Sequence, residues 1–135
     1  MKEQFLPYEE ALALKKLGFD KPCFSDYLYH RDTKKFVLIG LDYWCEQNIE
    51  QYDRTGNKRI SAPLYQQAFD WFREVHGYFS SPTESDNDVD KTYDWHITKN
   101  LGEGKLLIRF VGYHDTYQEA RLACIKRLIE LCKKN

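Results

Sequence analysis

Long apolar stretches are scarce in this chain of 135 residues. The longest one, Phe36–Leu41, is far shorter than the roughly 20 residues that a membrane-spanning helix needs. The N-terminal residues MKEQFLPYEE also lack the apolar core of a signal peptide. The sequence therefore predicts no membrane association and a cytoplasmic location.

An excess of charge of one sign is also missing, because 20 Lys and Arg residues face 21 Asp and Glu residues. A balanced chain has no overall field that draws it to nucleic acid or to an anionic membrane. Any such binding has to come from a local patch. The cysteines contain no CxxC pair and no zinc-like spacing, which predicts unbridged and mostly buried thiols at Cys23, Cys45, Cys124 and Cys132.

Metal and cofactor motifs are lacking as well. Asp86, Asp88 and Asp90 have the spacing that begins a calcium loop, in which alternate carboxylates converge on one cation. That loop needs glycine at its sixth position and glutamate at its twelfth, and Lys91 and Ile97 stand there. The sequence thus predicts a solvated acidic loop, with no metal and no cofactor.

Three helices are predicted. Pro7–Leu17 has acids in its first turn and Gly18 after its end, and Thr116 with Glu119 forms a capping box before the C-terminal helix. In Ile60–Gly77, Ser61 or Ala62 starts a helix with Pro63 in its first turn. Its apolar face is wide and aromatic, and we expect it to fill the core with Leu64, Tyr65, Ala68, Phe69, Trp71, Phe72 and Val75.

Two hairpins supply the strands. Cys23–Arg31 and Lys34–Leu41 form the first, and both alternating sets of the second strand are apolar, which predicts a central strand covered on both faces. Tyr93–Thr98 and Lys105–Tyr113 form the second. The sequence predicts a single α+β domain over residues 1–135. It has a four-stranded, mainly antiparallel sheet and three helices in the order α-β-β-α-β-β-α. Residues 42–59 are expected to be a long connection that is either mobile or functional, with a short strand or helical turn of its own as an alternative. Residues 80–90 are expected to be an exposed loop.

Three segments carry a family resemblance: YEEALALKKLGFDKPCF (Tyr8–Phe24), ISAPLYQQAFDWFREVHG (Ile60–Gly77) and TYQEARLACIKRLIELCK (Thr116–Lys133). They resemble a family of short uncharacterised reading frames in genomes of gut anaerobes, often in phage-like or mobile-element regions. The resemblance implies a bacterial, intracellular protein of phage-like origin. It implies no activity and supplies no catalytic or binding residues.

Aromatic content supports the leading functional hypothesis. The 21 aromatic residues are more than one small core is expected to hide, and exposed apolar patches commonly mark association sites. We therefore expect a small noncatalytic binding or accessory protein that contacts another protein or a second copy of itself.

Nucleic-acid binding is an alternative. The 42–59 connection mixes stacking surfaces with positive charge at Trp44, Tyr52, Arg54, Lys58 and Arg59, although nearby acids dilute it. Separately, helix, strands and helix in 63–133 resemble a double-stranded-RNA-binding domain. That family grips phosphates with a lysine-rich start of its last helix. Here the matching place holds His114, Asp115, Gln118 and Glu119, with only Arg121 basic.

An enzyme is the third hypothesis. Asp94 and His96 point the same way on a strand, and a carboxylate beside an imidazole can orient a general base. No nucleophile accompanies them in the sequence, so an ordinary solvated strand face is the competing explanation. No catalytic residue is assigned.

Overall fold

The computed structural model of this protein describes residues 2–40, 48–84 and 92–133. Within them the chain forms α-helices and antiparallel β-strands, and it divides into two compact units, Met1–Tyr65 and Gln66–Asn135. The helices are α1 (Tyr8–Leu17), α2 (Tyr65–His76) and α3 (Tyr117–Lys133). The strands are β1 (Ser25–His30), β2 (Lys35–Ile39), β3 (Glu50–Tyr52), β4 (Lys58–Ala62), β5 (Tyr78–Glu84), β6 (Tyr93–Gly102) and β7 (Lys105–His114).

The first unit contains a four-stranded antiparallel sheet in the order β2-β1-β4-β3, with α1 against β4. Helix α1 ends at Gly18, whose φ of 107° is the left-handed conformation that glycine adopts without steric cost. The segment before α1 is attached by backbone, because the Leu6 N–H donates to the Pro63 carbonyl at 2.9 Å. The buried Tyr27 hydroxyl donates to the Leu6 carbonyl at 2.6 Å. These two hydrogen bonds join segments that are distant in sequence around the core of the first unit.

The second unit contains a three-stranded antiparallel sheet, β5-β6-β7, against which α3 packs. Trp95 and Ile97 of β6 are buried, and the buried helix positions are Ala120, Cys124, Ile125, Leu128, Ile129, Leu131 and Cys132. The Thr116 hydroxyl accepts from the Glu119 N–H at 3.1 Å, so the predicted N-terminal cap of α3 is present. Burial raises the pKa of the Cys124 thiol to about 12, which makes it a poor nucleophile.

The predicted fold class is confirmed in its coarse form: the protein is α+β with three helices and antiparallel strands. The predicted single four-stranded sheet is wrong, since two sheets of four and three strands are present among the described residues. Three strands were not predicted as such. β3 lies in the 42–59 connection, for which a short strand was only an alternative, and β5 lies where an exposed loop was expected. β4 covers the end of that connection and the expected start of the middle helix.

Helix α2 starts later than predicted, because Ser61 and Ala62 belong to β4. Its aromatic face is buried as expected, with Trp71 at 4% and Phe72 at 0% exposure, so these side chains do not line an open cleft. Val75, expected in the core, is exposed. The prediction that β2 is a central strand is also wrong. Among the described residues it is an outer strand of its sheet, and it carries two half-exposed apolar side chains.

Candidate binding site on the four-stranded sheet

One row of side chains crosses all four strands of the first sheet. The strand registers place Phe36 opposite Tyr29, Tyr29 opposite Lys58, and Lys58 opposite Tyr52. Residues directly opposite one another project on the same face of a sheet. The row therefore presents an aromatic ring on β2, β1 and β3 and an ammonium group on β4. We call Phe36, Tyr29, Lys58 and Tyr52 the aromatic row.

Tyr8, the first residue of α1, lies on this face. Its ring is stacked on Phe36 with centroids 4.8 Å apart and on Tyr29 at 5.7 Å. Burial raises the pKa of Tyr8, and the nearby Lys58 ammonium opposes that shift. The proximity of this cation to the ring shows that Tyr8 and the row share one environment.

The two ends of the aromatic row are open to solvent. Phe36 is 46% exposed and Tyr52 is 65% exposed. The Lys58 Nζ atom lies 5.2 Å from the centre of the Tyr52 ring and 3.8 Å from Glu50 Oε1. A cation over the ring face is the arrangement of a cation–π contact. Large exposed rings beside a cation are typical of a binding surface rather than of a core.

The β1–β2 turn and the β3–β4 turn border the aromatic row, and hydrogen bonds join them to each other. The backbone N–H of Arg31 donates to Asn57 Oδ1 at 3.0 Å, and the Arg31 guanidinium donates to the Thr55 carbonyl at 3.4 Å. Gly56 has a φ of +87°, and a Cβ atom there would lie 2.6 Å from Cδ of Arg31. Arg31 therefore packs directly against the backbone of the β3–β4 turn.

Charge at this end of the sheet is predominantly positive. Residues 29–36 and 50–58 carry five Lys and Arg side chains and three carboxylates. One of those carboxylates, Asp53, accepts from the Thr55 N–H at 2.9 Å, the Thr55 hydroxyl at 2.7 Å and the Asn57 N–H at 2.9 Å. These hydrogen bonds lower the pKa of Asp53, and the one from the Thr55 hydroxyl has the largest effect. Its charge is thus engaged within its own turn.

The residues predicted for nucleic-acid contact fall in different places. Tyr52 and Lys58 belong to the aromatic row, and Arg54 is exposed in the turn between β3 and β4. Arg59 lies on the opposite face, where its Nη2 and Nε atoms are 2.7 and 2.8 Å from Oδ2 of buried Asp26. Trp44 lies outside the described residues, as does the acidic run 86–90. The sequence hypothesis did not include Tyr8, Tyr29 and Phe36. Tyr29 and Phe36 lie at equal distances on either side of the predicted hairpin turn, and this symmetry is a signal that they pair.

Strand β2 forms a second feature of this sheet. It pairs with β1 on one side, and within the described ranges 2–40, 48–84 and 92–133 no strand pairs with its other side. A recess of about 290 Å³ at this edge is lined by Tyr27, Phe36, Val37 and Leu38. Val37 is 47% exposed. The edge therefore combines backbone groups without a strand partner and an apolar recess.

Asp94 and His96 lie together on β6, as predicted. The closest partner of Asp94 Oδ1 is the Thr83 hydroxyl of β5, which donates at 2.7 Å. His96 Nε2 is 3.8 Å from the same oxygen, beyond hydrogen-bonding distance. The arrangement is a polar cross-strand contact, and an acid–base role for the pair stays a hypothesis.

The second unit has the order helix, three strands, helix that the RNA-binding resemblance implies. The start of α3 does not offer a phosphate site. The Arg121 side chain is buried, with its guanidinium carbon 5.3 Å from the centre of the Tyr117 ring, and Glu119 is exposed beside it. Arg121, the only basic residue at the place where the RNA-binding family holds phosphates, is thus buried and not available to a phosphate.

Comparison of the chain with protein families, with curated proteins and with solved structures finds no match. None of the helices among the described residues has both the length and the apolar character to cross a bilayer. In the same ranges, no cluster of three or more His, Cys, Asp or Glu side chains is placed to hold a metal ion.

Proposed function

We propose that the protein is a small noncatalytic binding protein that acts through protein–protein contact at the outer edge of β2, with a second copy of the chain as its partner. One observation carries this proposal. Phe36 and Val37 are each nearly half exposed on a strand that has a strand partner on one side only among the described residues.

Outer strands usually carry protection against pairing with another chain. Charged residues, proline and β-bulges are the common devices, because an edge offers unpaired N–H and C=O groups. β2 has Lys35 at its start and then four apolar residues, Phe36 to Ile39, in regular register with β1. Such an edge favours the addition of another strand, and the adjacent recess supplies a pocket for one of its side chains.

Self-pairing suits the sequence of β2. A two-fold axis brings identical edges together antiparallel, and the register centred on Val37 is the one that pairs all five residues. It sets Phe36 opposite Leu38 and Lys35 opposite Ile39, so apolar side chains meet and the two Lys35 ammonium groups stay apart. A parallel arrangement would instead set Lys35 beside Lys35.

Position 37 provides a sharp test because, in this register, Val37 of one copy lies opposite Val37 of the other. Val37→Lys and Val37→Glu each place like charges opposite one another and should abolish or strongly weaken association. An equimolar mixture of the two variants places opposite charges there and should restore it as a heterodimer. Size-exclusion chromatography with light scattering, from micromolar to near-millimolar protein, measures both effects.

Val75→Lys and Val75→Glu are matched controls, since Val75 is 57% exposed on α2. They should associate like the unaltered protein. A strict monomer over the whole concentration range contradicts the proposal. A dimer that both Val37 variants leave intact shows that the interface lies elsewhere on the protein.

Two further parts of the proposal rest on sequence. The resemblance of Tyr8–Phe24, Ile60–Gly77 and Thr116–Lys133 to reading frames of gut anaerobes supports an accessory role in a bacterial phage-like or mobile element. The cytoplasm stays the expected compartment. Recovery of the native protein from a fractionated host culture tests the location directly.

A further inference from the structure

We infer that the aromatic row is a binding site for single-stranded nucleic acid, in which bases stack on the exposed rings at its two ends, Tyr52 and Phe36, while phosphates contact the bordering turns. This inference does not depend on self-association at the β2 edge. It differs from the sequence hypothesis in its residues, because it adds Tyr8, Tyr29 and Phe36 and leaves out Trp44 and Arg59.

The shape of the site fits an extended strand. Four neighbouring strands span roughly 14 Å from the first axis to the last, so Phe36 and Tyr52 mark the ends of a platform long enough for a few nucleotides. Both rings are about half exposed or more, which leaves ring surface available for stacking. Stacking of bases on aromatic side chains tolerates any sequence, since every base has a π-face.

Positive charge lies where the backbone of such a strand would run. Arg31, Lys34 and Lys35 surround the β1–β2 turn and Arg54 lies in the β3–β4 turn, and all four are exposed. Asp53 is hydrogen-bonded three times within its turn, and Glu50 contacts Lys58 and the Tyr52 hydroxyl. Asp32 is the third carboxylate of these segments, against five Lys and Arg side chains, so this end of the sheet is locally positive although the overall charge of the chain is −1.

A duplex is a poorer ligand for this site. Its bases are stacked on one another and do not offer their faces to protein rings, and a flat row on a sheet lacks the element that enters a groove. A protein ligand would use the same apolar surface without a need for phosphate. The two alternatives thus predict different responses to base removal and to salt.

The experiment is fluorescence anisotropy with a labelled single-stranded oligothymidylate at low and at physiological salt. We expect salt-dependent binding, and weaker binding of the corresponding duplex and of an abasic strand of equal length. Tyr52→Ala should weaken binding roughly five- to a hundredfold, the range that the loss of one stacking partner represents. Lys34→Gln, which removes an exposed cation of the β1–β2 turn, should reduce the log–log salt slope by about one.

Matched controls lie in the second unit. Tyr113→Ala removes a tyrosine that is 62% exposed, close to the 65% of Tyr52, and Lys126→Gln removes an exposed lysine. Both should bind like the unaltered protein. Light scattering of Tyr52→Ala should show unchanged self-association, which separates this site from the β2 edge.

Four results would overturn the inference. One is no anisotropy change at low salt, and another is equal binding of the abasic strand, which indicates attraction by charge alone. The third is equal weakening by Tyr52→Ala and Tyr113→Ala. Preferential binding of the duplex would place the ligand elsewhere on the protein.

Discussion

The two sheets of this protein differ in how completely a helix covers them. In the second unit, α3 has 17 residues and packs on all three strands, and Trp95 and Ile97 beneath it are 2% and 1% exposed. In the first unit, α1 has 10 residues and contacts chiefly β4, and rings at both edges of the sheet remain exposed.

The widths of the elements explain this difference. A helix with its side chains is about 10–12 Å across, while strands are spaced about 4.8 Å apart. One helix therefore covers a three-stranded sheet better than a four-stranded one. The comparison teaches that the exposed rings on this face of the first sheet follow from its architecture.

Replacement of a covered ring should have the largest effect on stability. Trp95→Ala should lower the free energy of unfolding by about 3–5 kcal/mol, because it removes buried apolar area and leaves a cavity. Tyr52→Ala, at the open end of the aromatic row, should change it by no more than about 0.5 kcal/mol. Urea denaturation followed by far-UV circular dichroism measures both. Similar losses for the two variants would contradict the comparison.

An intermediate effect is expected on the opposite face of the first sheet. Arg59→Ala should cost about 2 kcal/mol, because it leaves the carboxylate of Asp26, 2% exposed, without this partner. The same measurement on Asp26→Ala/Arg59→Ala should show a smaller loss, since the double variant leaves no buried charge. Additive losses would show that the pair is not coupled. Because Arg59→Ala is expected to destabilise the fold, its oligonucleotide binding should be compared only under conditions in which the variant is shown to be folded.

A smaller effect than that of Arg59→Ala is expected for Tyr27→Phe, at about 1–2 kcal/mol near neutral pH, because the buried Leu6 carbonyl loses its donor. Burial raises the pKa of Tyr27 from 10.0 to about 12. The unfolded chain then ionises first, so the contribution of Tyr27 is complete below pH 10.0 and is lost as the pH rises toward 12.

Urea titrations of both proteins at several pH values test this sign. The difference in unfolding free energy between the native chain and Tyr27→Phe should shrink above pH 10.0. The ionisation of the other tyrosines affects both proteins alike, so it cancels in this difference. A difference that is constant or that grows would show that the folded protein does not favour the neutral hydroxyl.

Much of the fold was predictable because local signals specify it. Gly18 ends α1, Thr116 caps α3, and the pairing of β1 with β2 and of β6 with β7 follows from adjacent strands and short turns. β3 and β5 were not predictable in this way. β3 is fully exposed, and most of β5 is polar or exposed, so neither has an apolar alternation; each forms because a partner strand supplies its hydrogen bonds.

The candidate site was predictable only in part. Tyr29 and Phe36 flank one turn and Tyr52 and Lys58 flank another, so each half of the aromatic row is a local hairpin pair. The two halves meet through the pairing of β1 with β4, which are not consecutive in the chain. That register depends on long-range packing. The sequence placed Lys58 and Arg59 in one patch because residues 58–62 were not recognised as a strand, in which successive side chains point to opposite faces.

The contact between Arg31 and the Gly56 turn has a consequence for binding energetics. It fastens the tips of two hairpins, so Phe36 and Tyr52 keep their spacing before any ligand arrives. A ligand that reaches both rings loses little free energy to ordering them. The arginine thus acts as a brace that makes an exposed surface rigid without covering it.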